Sequence, residues 1–149
     1  MKQIKRADLH MHSTFSDGVE EPEELVVRAK NNGVELISLT DHDETGGLER
    51  MRAAAAQHGL QFVNGVEISA DYGEVSIHVV GLDFDPEDEM LQALLSRIRD
   101  NRFERAVQMA EKLEKLGMKG VWEGVLKIVT NPRLIGRRIS RRGSPKRLC

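Results

Sequence analysis

The chain has 149 residues, 40% hydrophobic and 31% charged, with a formal net charge of −2; that balance suits one globular domain, whole or partial, and is too charged for a membrane protein. No run approaches the ~18 apolar residues of a spanning helix, and the start MKQIKRADLH has no apolar core of signal-peptide length, so the expected location is the cytoplasm, with no membrane contact. The single cysteine, Cys149, has no partner thiol, which excludes a disulfide framework or a zinc knuckle and leaves any metal chemistry to histidines and carboxylates.

Residues 4–9 predict a short strand that delivers HMHSTFSDG at its C-terminal end. EEPEELVVRAKNNG opens with acidic residues and Pro22, continues with Leu25, Val26 and Ala29 and stops at Gly33, which predicts a helix over about 22–32. VELISLT predicts a mostly apolar strand running into DHDETGG, and the Ala-rich LERMRAAAAQHG predicts a helix ending at Gly59. LQFVNGVEIS and EVSIHVVGL predict two more strands about a turn at Asp71 to Gly73. Strands alternating with helices imply an α/β fold whose largely parallel sheet gathers functional groups at the strand C-termini. Leu91, Leu94, Leu95, Ile98, Ala106, Met109, Ala110, Leu113 and Leu116 then keep helical spacing up to Gly117, and Arg102 interrupts that stripe.

His10 and His12 are one residue apart, so on an extended chain both face one way and can grip one cation; Asp8 shares that face if the strand reaches so far. A pair of surface histidines fits the same spacing, and Asp17-Gly18 also reads as a plain turn. TDHDE, residues 40–44, places His42 between two aspartates at a strand end, or forms a solvated loop with Asp43 or Thr45 as helix N-cap. Glu67 interrupts an apolar strand, where an unpaired carboxylate is costly to bury unless it faces outward. His78, among β-branched residues, is open between a ligand and an ordinary core or surface histidine, whereas His58 precedes a helix-ending glycine and suits the negative end of the helix dipole. Four strand ends each present His, Asp or Glu, and unrelated accidents would not share one edge of a sheet.

DLHMHSTFSDG, TDHDETGG, GVEIS and IHVVGL, in this order and spacing, resemble the polymerase and histidinol phosphatase (PHP) family of metal-dependent phosphoesterases, in particular its small stand-alone branch acting on 3',5'-nucleoside bisphosphates and the 5' ends of short RNAs. The resemblance covers residues 7 to about 137. It implies a distorted (β/α)7 barrel with up to three divalent ions at the strand C-termini. Carried over by position, His10, His12, Asp17, His42, Glu67 and His78 would be metal ligands, with Glu67 bridging two ions and Asp17, His42 and Glu67 counted as catalytic. Asp41 and Asp43 would support the ligands or belong to the loop. Imidazole and carboxylate donors suit manganese, zinc or iron, with manganese the first expectation. Two ions about 3.5–4 Å apart hold a bridging hydroxide and clamp phosphate oxygens for hydrolysis of a phosphate ester. The substrate would be a nucleotide or short RNA, with no obligate protein partner, and Arg102 with Arg105 would hold a second phosphate. A charge at a break between two helices near Asp100-Asn101 accounts for Arg102 equally well.

The family also brings a late histidine and a final Asp-x-His as ligands, and this sequence has no histidine after His78. The expected domains are therefore residues 1–86 as the N-terminal part of the barrel, 87–132 as part of a helical cap, and 133–149 as a disordered tail. Two alternatives to a competent enzyme follow, a catalytically incomplete metal-binding module and a nucleic-acid-binding fragment using the tail. The first 123 residues carry a net −10 and the last 26 carry +8, a bias that suits a shifted reading frame. After the Arg137 codon, deleting the first base of ACG CAT TTC GCG, which encodes Thr-His-Phe-Ala, leaves CGC ATT TCG CG. That string reads Arg-Ile-Ser-Arg, the residues at 138–141. A chain cut short in this way is expected to leave apolar strand edges bare, to dissolve poorly and to be inactive.

Overall fold

The computed structural model describes residues 3–73 and 75–127. The basic tail, its inferred frameshift and the last residues of the expected cap lie outside the described residues. The chain divides into two compact units, Met1–Leu95 and Ser96–Cys149.

The first unit is an α/β half-barrel built on a four-stranded sheet in the order β1-β2-β3-β4. Strands β1 (Ala7–Met11), β2 (Leu36–Leu39) and β3 (Gln61–Tyr72) are linked by helices α1 (Pro22–Asn31) and α2 (Leu48–His58), and β4 (Val75–Leu82) follows β3. β1, β2 and β3 pair in parallel, and β4 returns antiparallel to β3. The first strand lies two or three residues further along the chain than expected. His10 is therefore inside β1 and His12 one residue past its end.

Alternation along the strands separates two faces. Met11, Ile37 and Leu39 join Leu25, Val26 and Ala29 of α1 and Leu48, Met51, Ala54 and Ala55 of α2 in one core. Burial of each large apolar side chain there contributes about 1.5–3 kcal/mol. The intervening residues, His10, Ser38 and Glu67 among them, face away from that core. α1 starts as its sequence foretells, with Pro22 in the first turn and the Glu24 carboxylate accepting the Glu21 N–H at 2.9 Å. α2 stops at Gly59, whose left-handed backbone (φ 69°) only glycine adopts at no cost.

α2 has no side-chain cap: Gly47 is its N-cap residue, Asp43 turns to β3, and Thr45 Oγ1 instead accepts from Gln92 Nε2 at 2.9 Å. Beyond the reach of α1 and α2, the β3–β4 hairpin carries the cross-strand pairs Ile68–Val79, Ala70–Ile77 and Tyr72–Val75. Tyr72, Val75, Ile77 and Val79 of that ladder are exposed.

Helix α3 (Glu89–Lys115) is unbroken through Asp100 and Asn101, so the helix break offered as an alternative account of Arg102 does not exist. Short α4 (Val121–Leu126) was not foreseen, because six residues with a central Gly124 carry too little local helix signal. In the second unit Phe103 of α3 meets Trp122 of α4 edge-on, centroids 5.7 Å apart. Among the described residues no helix is long and apolar enough to cross a membrane.

Candidate metal centre

Three backbone arrangements bring six side chains together. After β1 the chain turns back on itself, with the Ser13 carbonyl accepting the Ser16 N–H at 3.1 Å and the Gly18 N–H at 2.9 Å. This tight turn places Asp17 beneath His12. A side chain at Gly18 would fall 2.2 Å from the His12 carbonyl oxygen, so the turn admits glycine alone.

After β2, residues 41–43 run alongside β3. The Glu67 N–H donates to the Asp41 carbonyl at 3.2 Å and the Asp43 N–H donates to the Glu67 carbonyl at 3.0 Å, forming a parallel bridge between His42 and Glu67. Asp43 has a left-handed backbone (φ 54°), a conformation aspartate tolerates better than most residues, and its Oδ1 accepts the Ser69 N–H at 2.6 Å. The hairpin register sets His78 opposite Ser69, on the face that bears Glu67. Glu67 and His78 are thus in the middle of β3 and β4 rather than at strand ends. They meet the others because β3 runs past the ends of β1 and β2.

The Glu67 carboxylate is the hub. Its Oε2 lies 3.1 Å from His10 Nε2, 3.0 Å from His12 Nε2 and 3.2 Å from His42 Nδ1, and its Oε1 lies 2.6 Å from His78 Nδ1. Asp17 Oδ1 is 3.7 Å from both His12 Nδ1 and His42 Nε2. The rings of His12 and His42 stack with centroids 4.4 Å apart. The donor atoms form three overlapping triads: His10, His12 and Glu67; His12, Asp17 and His42; His42, Glu67 and His78. The Asp17 and His42 side chains are each 5% exposed, against 55% for His10 and 33% for His78, so the cluster has a buried floor and an open rim. Asp8 stays outside the triads and accepts the His10 N–H at 3.4 Å.

His12 and His42 each present one ring nitrogen to Glu67 and the other to Asp17. A neutral imidazole carries one N–H, so its second nitrogen would set a lone pair against carboxylate lone pairs. Buried His12 Nδ1 has no hydrogen-bond partner among the described residues. A cation between nitrogen and carboxylate resolves both problems, and donor separations near 3.0–3.7 Å suit ligands sharing one ion at about 2.0–2.2 Å. The residues therefore fit divalent metal.

Burial pushes the Glu67 carboxyl up, but hydrogen bonds from His10 and His78 and the nearby His42 and His12 together outweigh it and hold the group below the ordinary glutamate range. Burial pushes Asp41 up, against the hydrogen bonds it accepts from Ser13 and Ser16. His58 is the exposed last residue of α2 and belongs to none of the triads. Arg102, half-buried, and Arg105, exposed, lie three residues apart on α3 in the second unit. Of the buried partners Ser13, Ser16 and Asp41, Asp41 was expected to support the ligands or belong to the loop, and the two serines had no expected role. Their signal in the sequence is only that each flanks a ligand.

Histidines and carboxylates converging on one face of this half-barrel define a scaffold suited to binding metal. Residues 8–116 match the PHP domain, and the chain belongs to that family. It is 46% identical over 130 residues to a 3',5'-nucleoside bisphosphate phosphatase of Chromobacterium violaceum, covering 87% of this chain and 46% of the relative. It is 43% identical over 120 residues to a 5'-3' exoribonuclease of Haemophilus influenzae, covering 80% and 44%. Among solved structures, an amidohydrolase from Chromobacterium violaceum with bound sulfate and no metal superposes with a TM-score of 0.81 at 42% identity, over 95% of this chain and 51% of the other. The chain spans about half the length of the curated relatives it matches.

Proposed function

We propose that the cluster is the metal-binding part of a phosphoesterase that hydrolyses phosphate esters of nucleotides, either 3',5'-nucleoside bisphosphates or the 5' ends of short RNAs. The observation that carries this is the Glu67 carboxylate held among four imidazoles with Asp17 behind two of them. His10, His12, Asp17, His42, Glu67 and His78 would hold up to three divalent ions, manganese first. When bound, such ions supply an activated water and positive charge at the phosphoryl oxygens. Glu67, Asp17 and His42 form the floor and fix the donor positions, and the exposed rim of His10 and His78 leaves the phosphate its way in. Arg102 and Arg105 would take a second phosphate of the substrate, by bidentate pairing that guanidinium groups suit. Phosphate release from adenosine 3',5'-bisphosphate with added manganese tests this, and absence of metal-stimulated release from metal-loaded protein rejects it.

A second reading rests on a specific observation: the three triads draw on only six side chains, with His12, His42 and Glu67 each counted in two of them. In that case the chain is a metal-binding module that takes up fewer than three ions and does not turn over substrate. Metal counted per chain, measured beside phosphate release, separates the two.

A further inference from the structure

One residue along from each member of the triad His12, Asp17 and His42 stands a buried polar residue: Ser13 at 0%, Ser16 at 4% and Asp41 at 1% exposure. These three bond to one another. Asp41 Oδ1 accepts the Ser13 N–H at 2.7 Å and the Ser16 hydroxyl, and Asp41 Oδ2 accepts the Ser13 hydroxyl at 2.6 Å. The Asp41 carbonyl also takes the Glu67 N–H.

We infer that Asp41 is a positioning residue that clamps the Ser13–Ser16 turn to the end of β2 and so sets the donor geometry of the His12–Asp17–His42 position in particular. The two sides of that position come from different kinds of backbone. His42 is tied into β3 by its bridge to Glu67, whereas Ser13 to Asp17 form a turn outside the sheet. The turn's link to β2 at its level runs through Thr40, whose N–H and hydroxyl donate to the Met11 carbonyl at 2.9 and 3.1 Å, and through the Asp41 carboxylate. Without the carboxylate, His12 and Asp17 are free to drift from His42 while the His42–Glu67–His78 position keeps its strand-borne donors. Groups that orient ligands in this way tune affinity about 10- to 100-fold.

The inference rests on the metal-binding reading above, and cobalt(II) titration followed by visible absorption separates failure of one from failure of the other. Asp41→Ala should weaken the cobalt held through His12 and Asp17 about 10- to 100-fold, with the matching part of the absorption gone and the part from the His42–Glu67–His78 position retained. Asp41→Asn keeps an acceptor at Oδ1 and sets an amide against Ser13 Oγ, so it should restore the wild-type titration. Ser16→Ala, a milder change that removes one hydroxyl, should weaken the same cobalt even if Asp41→Ala does not fold. Variants that bind cobalt as the wild type does overturn the positioning role alone. Equal loss of all bound cobalt in both Asp41→Ala and Ser16→Ala reduces the network to general structural support and overturns it too. A wild-type chain that takes up no cobalt rejects the metal reading itself, and the inference with it.

Discussion

His42 and Glu67 meet twice, as partners in a parallel backbone bridge and again at their side chains, where Nδ1 lies 3.2 Å from Oε2. The backbone bonds on either side of Glu67 hold this pair without help from any ion, so part of the donor geometry belongs to the fold. Metal then needs to order only the remaining donors, which lowers the entropic cost of binding.

Glu67→Ala should reduce metal content most among single substitutions, because that carboxylate touches all four imidazoles. His10→Ala and His12→Ala should each reduce it sharply, and His58→Ala should leave it unchanged. Metal analysis of protein purified without chelator checks the contrast; equal losses in all four would mean that the cluster is not the binding site.

Acid should act on the cluster in two steps. Ligands must be deprotonated to bind, so metal competes with protons: occupancy should fall toward acid, with proton release on binding. In metal-free protein, Glu67 sits below its ordinary range; a depressed folded-state value contributes stability that is whole above the unfolded value of about 4.3 and is lost as pH falls through the folded one. Urea melts of metal-free protein between about pH 5 and pH 3 should weaken toward acid, and Glu67→Gln should flatten that dependence.

Gly18→Ala should destabilise the fold by about 1–3 kcal/mol, because the added carbon would press on the backbone of His12 and Ser13 at 2.2–2.7 Å. Equilibrium denaturation measures the loss. Metal affinity should fall with it, since the same turn carries Asp17, and unchanged stability would show that the turn has room to open.

Replacing both Arg102 and Arg105 by Ala should raise KM for a nucleoside 3',5'-bisphosphate about tenfold or more and leave a monophosphate ester nearly unaffected, since a charge-assisted pair is worth about 1.5–3 kcal/mol. Steady-state kinetics on the two substrates decide it. Equal effects on both would place the arginines elsewhere than at a second phosphate.

The apolar ladder of the β3–β4 hairpin predicts behaviour in solution. Ile77→Lys or Val79→Thr should raise the concentration at which the protein stays monodisperse in light scattering, because Ile77 and Val79 are 44% and 49% exposed on a terminal strand of the described sheet.

Much of this was legible in the sequence for local reasons. Pro22 and Gly33 bracket α1, Gly59 ends α2, and one-residue spacing puts His10 and His12 on one side of an extended chain, all decided within a few residues. What depended on distant neighbours was not legible. Asp43 and Thr45 have the composition of helix caps, yet the β3 backbone and Gln92 claim them. Glu67 reads as a misplaced charge until β3 is seen to outrun its neighbours, and the Asp41 clamp spans 25 to 28 residues. Arg102 was ambiguous because the same irregularity in an apolar stripe suits a kink or a site, and the unbroken α3 removes the kink.

The uneven depth of the cluster also bears on time. His10 stands 55% exposed at one side and His42 5% at the other, so bound ions would not exchange at one rate. An ion shared by His10, His12 and Glu67 lies within reach of a chelator's own donors and can be handed over directly. One held by His12, Asp17 and His42 must wait until the turn opens. Stripping with a chelator should therefore run in two phases, the first following chelator concentration and the second indifferent to it.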